Sequence, residues 1–184
     1  PNKIKEGRID DIRECIGCNL CYAADYQGIP IRCTQNPAMG EEWRRGWHPE
    51  FIPAASSKET VLVIGGGPGG MAAAMYACER GHRVTLMEKE EELGGRFRWA
   101  STLFPRNKLF LDYLIGRVSD LPIELRLGTE ANESTIKELA PDEIIALFKK
   151  LEQREDISVT PMFVDCGSGE LERRYNETRR PHPM

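Results

Sequence analysis

Three cysteines fall within seven residues at Cys15, Cys18 and Cys21, and a fourth follows at Cys33. Thiolates at this density bind a soft metal or pair as disulfides. One zinc ion ordinarily draws two thiolates from a short knuckle and the rest from a distant one. Three thiolates in a tight C-x2-C-x2-C loop suit a cuboidal cluster better, because its irons sit at separate corners. Cys33 then returns as the fourth ligand of a [4Fe–4S] centre. Gly17 lets the loop turn, and the amides from Ile16 to Leu20 can point toward cluster sulfides. On spacing alone, zinc and metal-free thiols remain as alternatives.

The stretch "VIGGGPGG" is a second concentration of chemistry. It places Gly65, Gly67 and Gly70 in the G-x-G-x-x-G spacing between a strand-like run and a helix-like one, with Gly66, Pro68 and Gly69 between them. In such a turn the first glycine bends the chain, the second admits a pyrophosphate and the third lets helix and strand pack closely. The helix N-terminus then carries the phosphate charge. Glu88 ends the next apolar run and can accept hydrogen bonds from ribose hydroxyls, while its charge disfavours a 2′-phosphate. Gly94 and Gly95 form a second glycine pair that can pass near a bound nucleotide. Lys89 and Arg96 flank these positions and complete the expected nucleotide-contact set.

The elements that must position these residues read as an α/β chain in three parts. Residues 1–56 hold the cysteines, show little periodicity and end in a Pro/Ala/Ser-rich linker. Residues 57–146 read as an incomplete Rossmann-like βαβ domain. "TVLVIGG" is a buried parallel strand, "PGGMAAAMYACERG" a helix with Pro68 in its first turn and Gly81 past its end, and "HRVTLMEK" a second strand. Phe110, Tyr113, Leu114 and Val118 share one face of a further helix, "IELRLGT" alternates as a strand and "ESTIKELA" forms a short helix. The apolar spacing of Ile144, Leu147, Phe148 and Leu151 predicts a helix from Pro141 to Asp156. Residues 147–184 thus comprise most of that helix, a possible edge strand in "ISVTPMFVD" and an arginine-rich polar tail.

Composition narrows the function class. With a net charge of −4 over 184 residues there is no electrostatic reason to expect nucleic acid or an anionic membrane as partner. The uncharged stretch Val61 to Ala77 carries five glycines and a proline, which suits strand, turn and helix better than a membrane span. The chain opens with charged residues and no signal peptide, so a cytoplasmic, thiol-preserving location is expected and a disulfide framework is not. Cys78 reads as a small buried apolar group, and Cys166 stands apart. His82 is expected at the surface near a helix C-terminus. Trp43, Trp47 and Trp99 are expected to pack, as large aromatics usually do.

The sequences "GRIDDIRECIGCNLC", "RCTQNPAMGEEWRRGWHPE" and "VLVIGGGPGGMAAAMYACERGHRVTLMEKEEELGGR" together resemble the iron–sulfur flavoenzymes related to trimethylamine and dimethylamine dehydrogenase. Bacterial 2,4-dienoyl-CoA reductase belongs to the same wider family. The resemblance covers residues 1 to about 146 and is closer to the amine dehydrogenase branch. It implies an FMN-bearing (β/α)8 barrel that takes electrons from substrate, a [4Fe–4S] relay on Cys15, Cys18, Cys21 and Cys33, and an ADP or FAD site on the glycine turns. It also implies an acceptor such as electron-transferring flavoprotein, and an oligomeric assembly. This chain begins where the family's barrel would end, so FMN is expected on a partner or a missing domain. The family would continue "PDEIIA" as a strand, and its second nucleotide-binding insert is missing here. The same module would run in reverse in an NAD(P)H-dependent enoate or dienoyl-CoA reductase. A non-catalytic cluster- and nucleotide-binding regulatory module is the reading from another class.

Overall fold

The computed structural model describes residues 2–45 and 51–146. Three short helices lie in the cysteine-bearing part: α1 (Asn2–Lys5), α2 (Leu20–Tyr26) and α3 (Glu42–Arg45). The rest alternates as β1 (Thr60–Ile64), α4 (Pro68–Glu79), β2 (Arg83–Met87), α5 (Phe97–Leu103) and α6 (Pro105–Asp120). It closes with β3 (Glu124–Arg126), α7 (Glu133–Leu139) and β4 (Glu143–Ala146). The strands form one parallel sheet in the order β3-β2-β1-β4, with Thr60 opposite Arg83 and Val61 opposite Glu143. The strand order reverses beside β1, and the crevice at such a switch point is where open parallel sheets bind ligands.

The apolar run of β1 follows from burial on both faces. Val61 and Val63 point into a cluster with Met71, Ala74, Leu86, Phe110, Leu114 and Val118, which covers one face with α4 and α6. Leu62 points the other way, to Met87, Ile144 and Ala146, with Ile136 and Leu139 of α7 packed against them. Successive side chains alternate across a strand, so a strand covered on both sides has no polar positions to spare. The buried face of α6 matches the predicted one at Phe110, Leu114 and Val118; Leu111 joins it and Tyr113 is half-buried. Asn132 caps α7 in a reciprocal capping box with Thr135.

The structure corrects the helix predicted from Pro141. Glu143–Ala146 is a strand, paired parallel with β1, and residues 147–156 lie outside the described residues. Ile144 and Ala146 bury beside Leu62 only in the extended form, and the open edge of β1 overrides the local helical spacing. The amide of Thr60 donates to Asp142 Oδ2 at 2.7 Å, which fixes the register at the strand's start. The tryptophan expectation also fails where it can be followed: Trp43 and Trp99 are 84% and 76% exposed. Trp47, the edge strand and the polar tail lie outside the described residues. His82 is more enclosed than expected, its Nδ1 accepting the Glu59 amide at 3.2 Å. Cys78 packs half-buried against the core, and burial pushes its thiol pKa up. No helix among the described residues is long and apolar enough to cross a membrane.

Leu86 has no exposed surface and lies in the centre of the larger cluster. Leu86→Ala is expected to lower the free energy of unfolding by about 3 kcal/mol, measured as a lower denaturant midpoint at unchanged slope.

Candidate functional site

The cysteine loop is held open by backbone conformation. Gly17 lies at φ 71 and Asn19 at φ 58. Asparagine is one of the few side chains that tolerates the left-handed region, and here it starts the helix that carries Cys21. The result turns amides onto sulfur: Gly17 N donates to Cys15 Sγ at 3.3 Å and Gln35 N to Cys33 Sγ at 3.4 Å. Thr34 Oγ1 lies 3.3 Å from Cys18 Sγ, so the residue beside Cys33 touches the first loop. Partial burial pushes the Cys18 thiol up, but the hydrogen bonds from Thr34 and the Leu20 backbone outweigh it and leave the pKa below the ordinary value.

Cys15 and Cys18 are exposed, Cys21 and Cys33 half-buried, and all four are free thiols. A single tetrahedral zinc needs its thiolates about 2.3 Å from one point. Among the described residues, no group of three or more His, Cys, Asp or Glu is arranged to hold a metal ion. The donor set nonetheless fits a cluster in kind: four soft thiols, with amide N–H groups already directed at two of them.

The glycine turn is built by close approach. Gly65 takes φ 106 and its amide donates to Met87 O, tying the end of β1 to that of β2. A Cβ on Gly70 would stand 1.8 Å from Gly65 O, so only glycine lets α4 begin this close to β1. One on Gly66 would meet Leu93 Cδ2 at 2.6 Å, whereas one on Gly67 would meet nothing within 4 Å. Gly94 N donates to Gly66 O at 2.7 Å, and Gly95 lies against the Gly67 Cα, so the two glycine pairs abut. The open ground is therefore over Gly67, at the N-terminus of a 12-residue helix with Pro68 in its first turn and no side-chain cap. Uncapped amides at such a place attract phosphate.

Glu88 sits where the sequence placed it, just past β2, and it is buried. Its Oε2 accepts the Gly66 amide at 2.5 Å and its Oε1 the Glu90 amide at 3.0 Å. The carboxylate thus braces the first turn, a role that spacing alone did not reveal. Gly69 lies in the first turn of α4. Lys89 and Arg96 are exposed, Lys89 beside Glu90 at 3.7 Å and Arg96 at the start of α5.

The two glycine- and cysteine-bearing parts meet through residues that sequence reasoning missed. Ile16, inside the cysteine loop, packs against the core cluster that contains Val63 and Met71. Asp11 pairs with Arg117 of α6 at 3.6 Å, and Arg117 pairs with Glu79 of α4 at 2.9 Å. Arg13 donates to Gln35 O and lies over the Tyr113 ring, 5.3 Å from its centroid. These residues have no periodicity or motif of their own, and only position relative to Cys15 offered a hint.

Comparison with known proteins agrees with this layout. The FAD dependent oxidoreductase family matches residues 60–104. The chain is 40% identical to the N,N-dimethylglycine/sarcosine dehydrogenase of Chromohalobacter salexigens over 145 residues, 78% of this chain and 21% of the relative. It is 43% identical to an NADH oxidase of Thermoanaerobacter brockii over 149 residues, 79% of this chain and 22% of the relative. The structure of histamine dehydrogenase from Rhizobium sp. 4-9 superposes with a TM-score of 0.76 at 38% identity, covering 79% of this chain and 22% of that one. The chain therefore spans about a fifth of the length of these relatives.

Two alanine substitutions separate packing from open ground. Gly70→Ala drives a methyl into Gly65 O and is expected to cost about 3 kcal/mol of stability. Gly67→Ala, with free space above it, is expected to stay within about 1 kcal/mol of the parent. Parallel denaturant titrations check both.

Proposed function

Because this chain is homologous, over 78% of its length, to a segment of the flavoprotein oxidoreductases of the amine dehydrogenase and enoate reductase kind, we propose that it is the electron-transfer part of such an enzyme. In this reading residues 1–56 hold a [4Fe–4S] cluster on Cys15, Cys18, Cys21 and Cys33. Residues 57–146 hold an adenine nucleotide, ADP or FAD, and residues 147–184 have no assigned role. The cluster, when bound, supplies one-electron steps between an FMN-bearing barrel partner and an external carrier such as electron-transferring flavoprotein.

The chain's own residues do the rest. The amides of Gly17 and Gln35 donate to ligand sulfurs and stabilise thiolate charge. The open backbone at Gly67 and the N-terminus of α4 receive the pyrophosphate, with Pro68 and Gly69 leaving the first turn uncluttered. Glu88 keeps lone pairs for a ribose hydroxyl beyond the two amides it accepts. Gly94 and Gly95 border the same ground, with Lys89 and Arg96 at its exposed margin.

The observation that carries this reading is the packing of half-buried Ile16 against the core cluster that contains Val63 and Met71. It sets the cysteine loop and the nucleotide turn on one packed body, as a relay needs. The relations to an NADH oxidase and to a cinnamate reductase, 34% identical over 148 residues, favour a second reading, in which electrons enter from NAD(P)H and run toward an enoate substrate.

The full chain, reconstituted anaerobically with iron and sulfide, is expected to bind four irons. It should also show a broad visible band that dithionite bleaches, and Cys18→Ala should lose both. One zinc per chain and no colour would sink the reading. Extracting the bound nucleotide divides ADP from FAD, and Gly67→Ala is expected to weaken its binding roughly tenfold or more. A pull-down that returns no FMN protein would put the regulatory module in front.

A further inference from the structure

Arg13 lies two residues before Cys15, in a half-buried position between the cysteine-bearing segment and α6. Its guanidinium donates to Gln35 O, two residues past Cys33, whose own sulfur accepts the Gln35 amide at 3.4 Å. The other side of the group lies on Tyr113, with Nη2 3.5 Å from the phenol oxygen and Cζ 5.3 Å from the ring centroid. One side chain therefore joins the Cys15 segment, the Cys33 segment and the helix that covers the core.

The surrounding charges matter as much as the contacts. The cleft beside Arg13 is lined by Lys3, Arg8, Asp11, Glu79 and Arg117 among others. Asp11 is held by Arg8 at 3.0 Å and Arg117 at 3.6 Å, and Glu79 by Arg117 at 2.9 Å. Among the described residues no carboxylate lies within ion-pair distance of Arg13; its neighbours are the Gln35 carbonyl, the Tyr113 phenol and ring face, and the Tyr76 phenol. No carboxylate among the described residues pairs with its charge, and water is partly excluded around it, which extends its electrostatic reach.

Resting on the cluster reading above, we infer that Arg13 is a positioning residue for the iron–sulfur centre, fixing the Cys33 segment and biasing the centre toward its reduced form. Reduction adds a negative charge to a centre already ligated by four thiolates. A nearby cation stabilises that form and raises the potential. Neither role needs Arg13 to touch a cluster sulfur.

The experiment uses the full chain reconstituted with iron and sulfide. It compares the parent with Arg13→Gln, Arg13→Lys and Tyr113→Phe by iron content, circular dichroism and redox titration followed by EPR. Arg13→Gln is expected to shift the reduction equilibrium at least tenfold toward the oxidised form, a fall of about 59 mV for one electron. Arg13→Lys and Tyr113→Phe keep the charge and are expected to hold the parental potential. A four-iron Arg13→Gln protein with the parental potential overturns the inference. Should Arg13→Gln keep its fold but bind no iron, Arg13→Lys decides: restored iron at the parental potential supports the inference, and no iron overturns it. A parent chain that binds no iron overturns the cluster reading itself and this inference with it, so the two failures are distinguishable.

Discussion

The structure depends on one close approach, the contact between Gly65 at the end of β1 and Gly70 in the first turn of α4. With a Cβ at Gly70 standing 1.8 Å from the Gly65 carbonyl, no other residue type permits it. Everything at the glycine turn follows from that spacing. It sets α4 low enough for Met71 and Ala74 to reach Val63 and Leu86, closing the larger core. It also leaves the amides of the helix start facing outward over Gly67. A cheaper turn would have filled the space a ligand needs or lifted the helix off the sheet, and both stability and binding would fall together.

The cysteine-bearing segment has no comparable core. Its buried apolar residues among those described are Ala24 and Ala38, while Tyr22, Tyr26 and Ile29 stay largely exposed. So little buried area cannot offset the entropy of ordering some forty residues. The segment is ordered instead by what it borrows: Ile16 against the neighbouring core, Arg13 on Tyr113, and the Asp11–Arg117–Glu79 pairings. A metal centre on its four thiols would add folding free energy where the chain is poorest in it.

Much of this was legible in the sequence, and the pattern of misses is physical. The βαβ unit, its turn and the α6 face were readable because they are local: period, glycine spacing and an N-terminal proline each act within a few residues. The strand at Glu143–Ala146 was misread because its conformation is decided by β1, some eighty residues earlier, and not by its own neighbours. Glu88 was located correctly, but its bracing of Gly66 depends on how tightly the two turns abut. Trp43 and Trp99 were expected inside because aromatics usually are; their exposure shows that aromatic content alone does not report burial. Arg13 belongs to no pattern and became visible only through its three contacts.

The helix α4 ties these observations together. Its N-terminus is the glycine turn, and its last residue, Glu79, closes the chain of ion pairs that reaches Asp11 through Arg117. The helix is buried along most of its length, with Met71, Ala73, Ala74, Met75 and Ala77 all inside. Such a helix moves as a unit or not at all, since close-packed interiors resist continuous deformation. Helix α4 thus carries the glycine turn at its start and, at its end, the ion-pair clasp that reaches Asp11. The surface ion pairs matter here for register more than for their small stabilising energies.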